Sequence, residues 1–456
     1  MFCLLLVIAF FLRIYKISTF SLWTDEFHTL MYISNFSFEQ LNITGQTHPP
    51  LYFFLLNSWT YIFGISSFAL RFPSVIFSIL GLTYLYKFTK NLWNSKTGLI
   101  VVCLTTFSNY LINYAQEVKM YSMLWSLCLM SLYYFYKLIK DGHSAYWKYI
   151  LFTTLALYTH FFALIIIVSQ GLFVLIFKIK SFSKIKKWLK IYITIMIFSF
   201  GALLKIFLAT LFSREMISYI PNFNLNAIIK TIILFSGNYI RLEPVTLNLI
   251  SYIFLFLMVI GLTSFKSLKK QIFDKNSLFV FYFLIIPFII SILISIVISN
   301  YYSFVTIRYV GFMIFPFLML VGKGISKIKY NWLITIIICL FLFINSLIPY
   351  YSNELKINGE DWKQAILELK YHQQEEPIFI FDSTVQTTIK YYAPEIYKNT
   401  FLFKEYNNLN QKPNSFWIIA RQVDKYSYKA TEPIFSQLTE EFEFRKIGVI
   451  ATKYKS

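Results

Sequence analysis

The residues able to do chemistry in this chain fall into short stretches between long apolar runs. Asp25 and Glu26 stand side by side in SLWTDEFHTL, directly after the first apolar segment. An ionised acid at a bilayer centre costs roughly 2.5 to 3.5 kcal/mol on insertion scales, so this pair requires water, a cation or a partner. His48 precedes two prolines in THPPLYFFLLNSWTYIFG, where they hold the chain extended before an aromatic, amphipathic stretch suited to the membrane interface. Glu117 and Lys119 lie in NYAQEVKMYSML, His160 in LYTHFFAL and Arg308 in VTIRYVGFMIFP. Each has a bland role when taken alone. Thr24 and Asp25 can start a helix at Glu26, Glu117 can pair with Lys119, His160 can pack among its aromatic neighbours, and Arg308 can snorkel. Together they suit group transfer. A carboxylate can take a proton from an acceptor hydroxyl, worth about 10² to 10⁴ in rate, while cations stabilise a departing phosphate.

The elements that must hold these residues are set by composition. Of 456 residues 57% are hydrophobic and 14% charged, whereas soluble domains carry about a quarter charged residues. This is the composition of a membrane protein. The net charge of +20 raises the question of nucleic acid. Residues 352–456 hold 14 Lys plus Arg against 14 Asp plus Glu, so the whole excess belongs to the apolar part. There the lysines concentrate in short loops, as the positive-inside rule expects of cytoplasmic loops, and no nucleic-acid partner is implied. Cys3, Cys103, Cys128 and Cys339 all lie in apolar runs without a C-x-x-C, so neither a disulfide framework nor a Cys-based zinc site is readable. Residues 2–19 read as a retained first span rather than a removed signal peptide.

A helix crossing the hydrocarbon needs about 20 mostly apolar residues. Hydropathy places candidates at 2–19, 66–86, 97–113, 120–137, 146–160, 161–177, 190–212, 246–264, 277–299, 305–322 and 331–350. Two short crossings within 146–177 put the lysine-rich loops KIKSFSKIKKWLK, FKSLKKQIFDK and KGISKIKYN on one side. The cytoplasmic loops then carry 19 Lys, and the opposite side holds Lys119, Arg214, Lys230, Arg241 and Arg308. Asp25, Glu26, Glu39, Glu117, Glu215 and Glu243 face the exterior, and the first exterior loop, 20–65, contains no Lys or Arg. The expected architecture is an all-α polytopic membrane protein of about eleven transmembrane helices over residues 1–351, N-terminus cytoplasmic. Residues 352–456 follow as a small extracytoplasmic α/β domain, with a helix in DWKQAILELK and strands in PIFIFD, SFWIIAR and KIGVIAT.

Under this single topology two acidic positions, two histidines, a lysine and an arginine converge on one face of the bilayer. Lys205 is the clear mid-span ionisable residue, so a transporter or lipid flippase is the weaker alternative. A non-catalytic assembly or anchoring protein acting through its exterior tail is a third class.

The stretches SLWTDEFHT, THPPLYFFLLNSW, FALRFPSVIF, YAQEVKMYSML, YTHFFAL and RYVGFMIFP, in that order, resemble bacterial membrane glycosyltransferases of the GT-C fold. The relatives are the protein O-mannosyltransferases and the lipid A aminoarabinose transferases, and the resemblance covers about residues 10–325. It implies inverting transfer of a hexosyl or pentosyl group from a polyprenyl or dolichyl phosphate at the outer face of the cell membrane. The acceptor would be a glycan, a lipid or a protein. By carry-over Asp25 is the general base with Glu26 beside it, and Glu117 is the second acidic position. Lys119, Arg308, His48, His160, Tyr121 and Tyr309 would contact the donor phosphate or substrate, and Glu117 and His160 are the candidate ligands of a divalent metal. The aminoarabinose transferases have Glu-Lys-Pro-Pro where this chain has Thr47-His48-Pro49-Pro50, so a glutamate ligand and a lysine are absent. That departure weakens lipid A modification as the task and leaves metal dependence open.

Overall fold

The computed structural model describes residues 1–34, 48–178, 182–212, 225–237, 248–263, 273–298, 308–352, 359–406, 409, 411–422 and 438–455. Glu39, Arg214, Glu215, Arg241 and Glu243, read above as exterior, lie outside the described residues. In chain order the first helices are α1 (Phe2–Ile14), α2 (Thr24–Ser34), α3 (Leu51–Phe63), α4 (Ser67–Leu92), α5 (Ser95–Thr106), α6 (Asn109–Ala115) and α7 (Tyr121–Asp141). They are followed by α8 (Tyr146–Thr159), α9 (Ala163–Phe177), α10 (Phe182–Phe198), α11 (Phe200–Phe212), α12 (Leu225–Phe235) and α13 (Leu249–Leu262). Then come α14 (Lys275–Ile298), α15 (Ile314–Ser326), α16 (Asn331–Leu342) and α17 (Ile348–Ser352), the last two joined by a wider π turn. The remainder comprises α18 (Trp362–His372), β1 (Ile378–Ile380), α19 (Ser383–Tyr392), β2 (Thr400–Leu402), α20 (Phe403–Tyr406), β3 (Ser415–Arg421), β4 (Thr439–Lys446) and β5 (Val449–Lys455). The chain divides into two units: Met1–Tyr15 with Ser37–Tyr351, and Lys16–Phe36 with Ser352–Ser456.

In the first unit α7 is the central helix, flanked by α4 and α8. Every residue from Tyr121 to Tyr133 is buried, as expected of a helix apolar on all sides. Its buried serines are satisfied by neighbouring helices, Ser122 by Tyr114 O and Ser126 by Phe77 O. Ser131 Oγ lies 2.8 Å from Thr153 Oγ1, Gln170 Nε2 donates to Ser131 Oγ at 3.1 Å, and Tyr149 OH donates to Gln170 Oε1 at 2.8 Å. This relay ties α7, α8 and α9 together where an unpaired group would be costly. Arg13, fully buried at the end of α1, donates to Ser78 Oγ at 2.7 Å, Ala9 O at 3.1 Å and Thr105 O at 3.4 Å, and so links α1, α4 and α5. α13 and α15 cross closely enough that a Cβ on Gly324 would lie 1.9 Å from Leu257 O, and one on Gly261 2.1 Å from Leu320 O. Only glycine permits that approach.

Three described helices are long and apolar enough to cross a membrane alone: Ser67–Leu92, Lys275–Ile296 and Asn331–Ser352. Two bent pairs raise the number to five, Ser95–Thr106 with Asn109–Ala115 at 65° and Ile185–Phe198 with Phe200–Leu208 at 68°. The expected count of eleven is therefore not reached by length and composition among the described residues. Hydropathy sums apolar residues across a break, whereas the backbone bends at Phe107–Ser108 and at Ser199. Segment 120–137 forms the 21-residue α7, and the remaining segments form helices of 10–17 residues, shorter than a straight crossing requires. Segment 146–177 is two helices, α8 and α9, that meet at His160.

The second unit is built on a five-stranded sheet of order β2-β1-β3-β5-β4, parallel about β1 and antiparallel from β3 onward. The two-residue connection between β4 and β5 contains Gly448 at φ 70°, the left-handed backbone that a tight hairpin demands. The helix expected in DWKQAILELK is α18. Asp361 caps it by accepting from Gln364 N at 3.2 Å, and Trp362, Ala365, Ile366 and Leu369 form its buried stripe. β1, β3 and β5 fall in the expected apolar runs. β2 and β4 were not legible, because β4 carries mostly exposed charged residues at the sheet edge.

Glu376, just before β1, ties that strand's start to β3 and β5 through Trp417 and Lys453. Burial raises its pKa, but hydrogen bonds from Lys453, the Gln374 amide and Trp417 outweigh that and hold the carboxyl below its ordinary value. A carboxylate with a depressed folded pKa contributes stability above its unfolded pKa and loses it as pH falls through the folded one. Glu376→Gln is therefore expected to lower protection of the β1 and β3 amides in hydrogen exchange by about tenfold at neutral pH, with the difference from wild type shrinking toward about pH 3.

Candidate functional site

The acid pair opens α2, in the second unit. Glu26 is the third residue of that helix and is completely buried, and its Oε2 accepts from Trp23 N at 3.3 Å. This is the carboxylate half of a capping box, so Glu26 is engaged with the backbone that starts its own helix. Asp25, about 100° around the helix, is half-buried. The sequence expected Thr24 and Asp25 to start a helix at Glu26; the helix instead begins at Thr24, and Glu26 accepts the Trp23 amide.

α2 is held by the C-terminal residues of the same unit. Leu22 N donates to Tyr392 OH at 2.7 Å, and Lys363 N donates to Ser21 Oγ at 3.1 Å. Glu360 Oε2 accepts from Thr24 N at 3.1 Å, from the Thr24 hydroxyl, and from Trp362 Nε1 at 2.6 Å. His28 Nδ1 lies 3.1 Å from Thr384 Oγ1, and Phe27 meets Tyr391 and Tyr392 edge-on at 5.7 Å. An isolated helix of 11 residues is marginal in water. These bonds give it a fixed place. His28, Glu360, Trp362 and Tyr392 were not anticipated, and no local signal in the sequence marks them, since their partners lie more than 330 residues away.

The remaining candidates lie in the first unit, and the structure gathers them. Glu117 and Lys119 sit in the turn between α6 and α7. Ser74 Oγ donates to Glu117 O at 2.6 Å and to Lys119 O at 3.3 Å. Asn113 Nδ2 donates to Glu117 Oε1 at 3.0 Å. Gln116 beside it is a buried node: its Nε2 donates to Arg13 O and to Tyr15 O, each at 2.9 Å, and its Oε1 accepts from Tyr350 OH at 2.9 Å. Arg308 hydrogen-bonds the Tyr114 hydroxyl, and the charges of both Arg308 and Glu117 act on Tyr114 and Tyr110. The Arg308–Tyr309 turn is fixed by Gly311, where a Cβ would lie 2.1 Å from the Trp125 ring.

His160 caps the end of α8 in extended backbone and is fully buried. Its Nδ1 accepts from Phe162 N at 3.1 Å, which places the proton on Nε2, and Nε2 has no hydrogen-bond partner among the described residues. Around it are His48 with ring centroids 4.7 Å apart, Tyr121 at 6.1 Å and Tyr309 at 6.2 Å, with the charge of Lys119 in range. Tyr309 also stacks on Phe162 at 4.1 Å. His48, Glu117, Lys119, Tyr121, His160, Arg308 and Tyr309 therefore form one aromatic-lined cluster with two cationic side chains and a buried imidazole N–H that has no partner among the described residues. Among the described residues no three His, Cys, Asp or Glu side chains gather to hold a metal ion, so Glu117 and His160 make no coordination set with other described residues.

A helical membrane unit with broken spans and a terminal mixed sheet is the GT-C class of fold. Residues 47–203 match the family model described as dolichyl-phosphate-mannose-protein mannosyltransferase. Among solved structures the chain is similar to ArnT from Cupriavidus metallidurans in the apo state, with a TM-score of 0.66 at 8% identity over 99% of this chain and 97% of that one. It is equally similar to ArnT from the same organism bound to undecaprenyl phosphate, with a TM-score of 0.64 at 10% identity over the same shares. Comparison with curated protein sequences finds no match.

Replacing Glu360 by Ala leaves the Thr24 amide and hydroxyl without their acceptor and the Trp362 indole with only the Thr24 hydroxyl, 3.2 Å away. Each hydrogen bond to a charged group is worth about 1.5 to 3 kcal/mol, so hydrogen exchange across residues 21–34 should accelerate at least about tenfold. Unchanged protection there would show that α2 is held by something other than Glu360.

Proposed function

We propose that this protein is an inverting glycosyltransferase that moves a sugar from a polyprenyl phosphate to an acceptor hydroxyl at the extracytoplasmic face of the cell membrane. The observation that carries the reading is the cluster of Lys119, Arg308 and His160 among His48, Tyr121 and Tyr309. Two cations and a desolvated N–H donor suit a phosphate, and the surrounding rings suit a sugar and the first isoprene units. The family match over residues 47–203 supports the same chemistry, since that stretch contains His48, Glu117, Lys119, Tyr121 and His160. The ArnT structure that holds undecaprenyl phosphate shares the fold.

In this reaction Asp25 takes the proton of the acceptor hydroxyl as its oxygen attacks the anomeric carbon. The bond from that carbon to the phosphate oxygen breaks with inversion, and its electron pair leaves with the lipid phosphate. Lys119, Arg308 and the His160 Nε2–H hold the charge that grows on the leaving oxygens. Glu26 keeps its capping role, and Glu117 fixes the turn that presents Lys119. A transporter or flippase draws on Lys205, which is buried in α11 with Nζ lacking a partner among the described residues, and it gives the histidine cluster no task.

The deciding measurement is transfer by the purified protein in vesicles, supplied with polyprenyl-phosphate sugars and read by mass spectrometry of acceptor glycans, lipids and proteins. Release of polyprenyl phosphate coupled to a new glycosidic bond is expected. Movement of the intact lipid across the vesicle without transfer would favour the flippase. Asp25→Asn should keep the fold and lower kcat by about 10² to 10⁴, and near-normal turnover would remove Asp25 from the chemistry. Arg308→Ala and His160→Phe should act on the donor, raising its KM about 10- to 100-fold with a smaller change in acceptor KM. An unaltered donor dependence would return both residues to a packing role.

A further inference from the structure

On the lysine-rich side of the helical unit, away from the residues described above, α9 and α10 enclose a groove. Both helices are pinned to α8, but at different points. Tyr149 of α8 bonds Gln170 of α9, and Tyr146 OH lies 3.3 Å from Thr194 Oγ1 of α10. Between them is a cavity of about 340 Å³ lined by Ile167, Gly171, Leu175, Ile185, Trp188 and Leu189 among others, with apolar walls. Its size is in the range of about 300 to 1,000 Å³ typical of small-molecule sites. The space beside Gly171 is open, since a Cβ there would meet nothing nearer than the Tyr192 hydroxyl at 3.7 Å.

Lysines outside the lining follow it closely in sequence on both helices. Lys178 follows Gly171 by seven residues and Leu175 by three, so it continues the lining stripe of α9 at the end of that helix. On the facing helix Lys186, Lys187 and Lys190 are exposed within the first turns of α10, beside Ile185, Trp188 and Leu189. An apolar slot flanked in sequence by lysines matches a lipid with a hydrocarbon chain and an anionic headgroup. We propose that this groove binds one acyl chain of an anionic phospholipid of the cytoplasmic leaflet, with its phosphate held by Lys178 and Lys186. The leaflet rests on the orientation read from the lysine-rich loops. The binding itself is independent of the glycosyltransferase reading.

The test uses the full-length protein reconstituted in vesicles of equimolar phosphatidylglycerol and phosphatidylcholine, with native mass spectrometry of the lipids it retains on extraction. One phosphatidylglycerol should be retained in preference to phosphatidylcholine. Lys178→Gln and Lys186→Gln should each lower that retention about fivefold, the equivalent of about 1 kcal/mol per lysine near an anionic headgroup. Gly171→Leu, which fills the slot, should abolish it, while Gly171→Ala keeps it and reports on folding. Equal retention of both lipids, or full retention by Gly171→Leu, would overturn the proposal. So would displacement of the retained phosphatidylglycerol from wild type by added polyprenyl phosphate, which would assign the groove to the donor's tail. Loss of sugar transfer with lipid retention intact would bear only on the enzyme reading.

Discussion

One carboxylate oxygen, Glu360 Oε2, receives the backbone and side chain of Thr24 and the indole of Trp362. The placement of Asp25, the residue after Thr24, depends on that convergence. The first loop carries no cation of its own, and a helix of 11 residues does not hold its place in water unaided. The C-terminal residues supply what is missing: an acceptor for the first amide of α2, a tyrosine hydroxyl for Leu22 N, and two rings against Phe27. The tail thus has a positional task toward the acid-bearing helix, which gives a purely anchoring role for it less to explain.

The same logic divides labour between adjacent acids. A helix start leaves amides unpaired, and Glu26 turns back to satisfy Trp23 N. Side chains one residue apart point about 100° from each other, so a capping Glu26 leaves Asp25 in a separate environment. Two carboxylates that look equivalent in the sequence therefore have different duties.

Within the helical unit the chemistry collects where helices stop. Glu117 and Lys119 occupy the turn after α6, His160 the junction of α8 and α9, and Arg308 and Tyr309 the turn before α15. Helix ends present unpaired backbone groups and allow side chains to converge that a continuous span would fan out around its axis. The cluster thus sits at the turns between helices, whereas the bends at Phe107–Ser108 and Ser199 carry none of its residues. Ser74, Gln116, Asn113 and Gly311 hold these turns by hydrogen bonds or by close approach to Trp125.

By itself the sequence determined the membrane class, the neutral terminal α/β part, and the split of 146–177 into two helices. Each of these follows from local composition, from spacing, or from a motif in a short stretch. It did not reveal the bends at Phe107–Ser108 and Ser199, because an apolar count is blind to backbone direction. Nor did it separate Glu26 from Asp25 or single out Glu360, Trp362 and Tyr392. Those assignments belong to tertiary structure, since a polar side chain's duty is set by the partner it finds, and these partners are brought together only when segments more than 330 residues apart fold against each other.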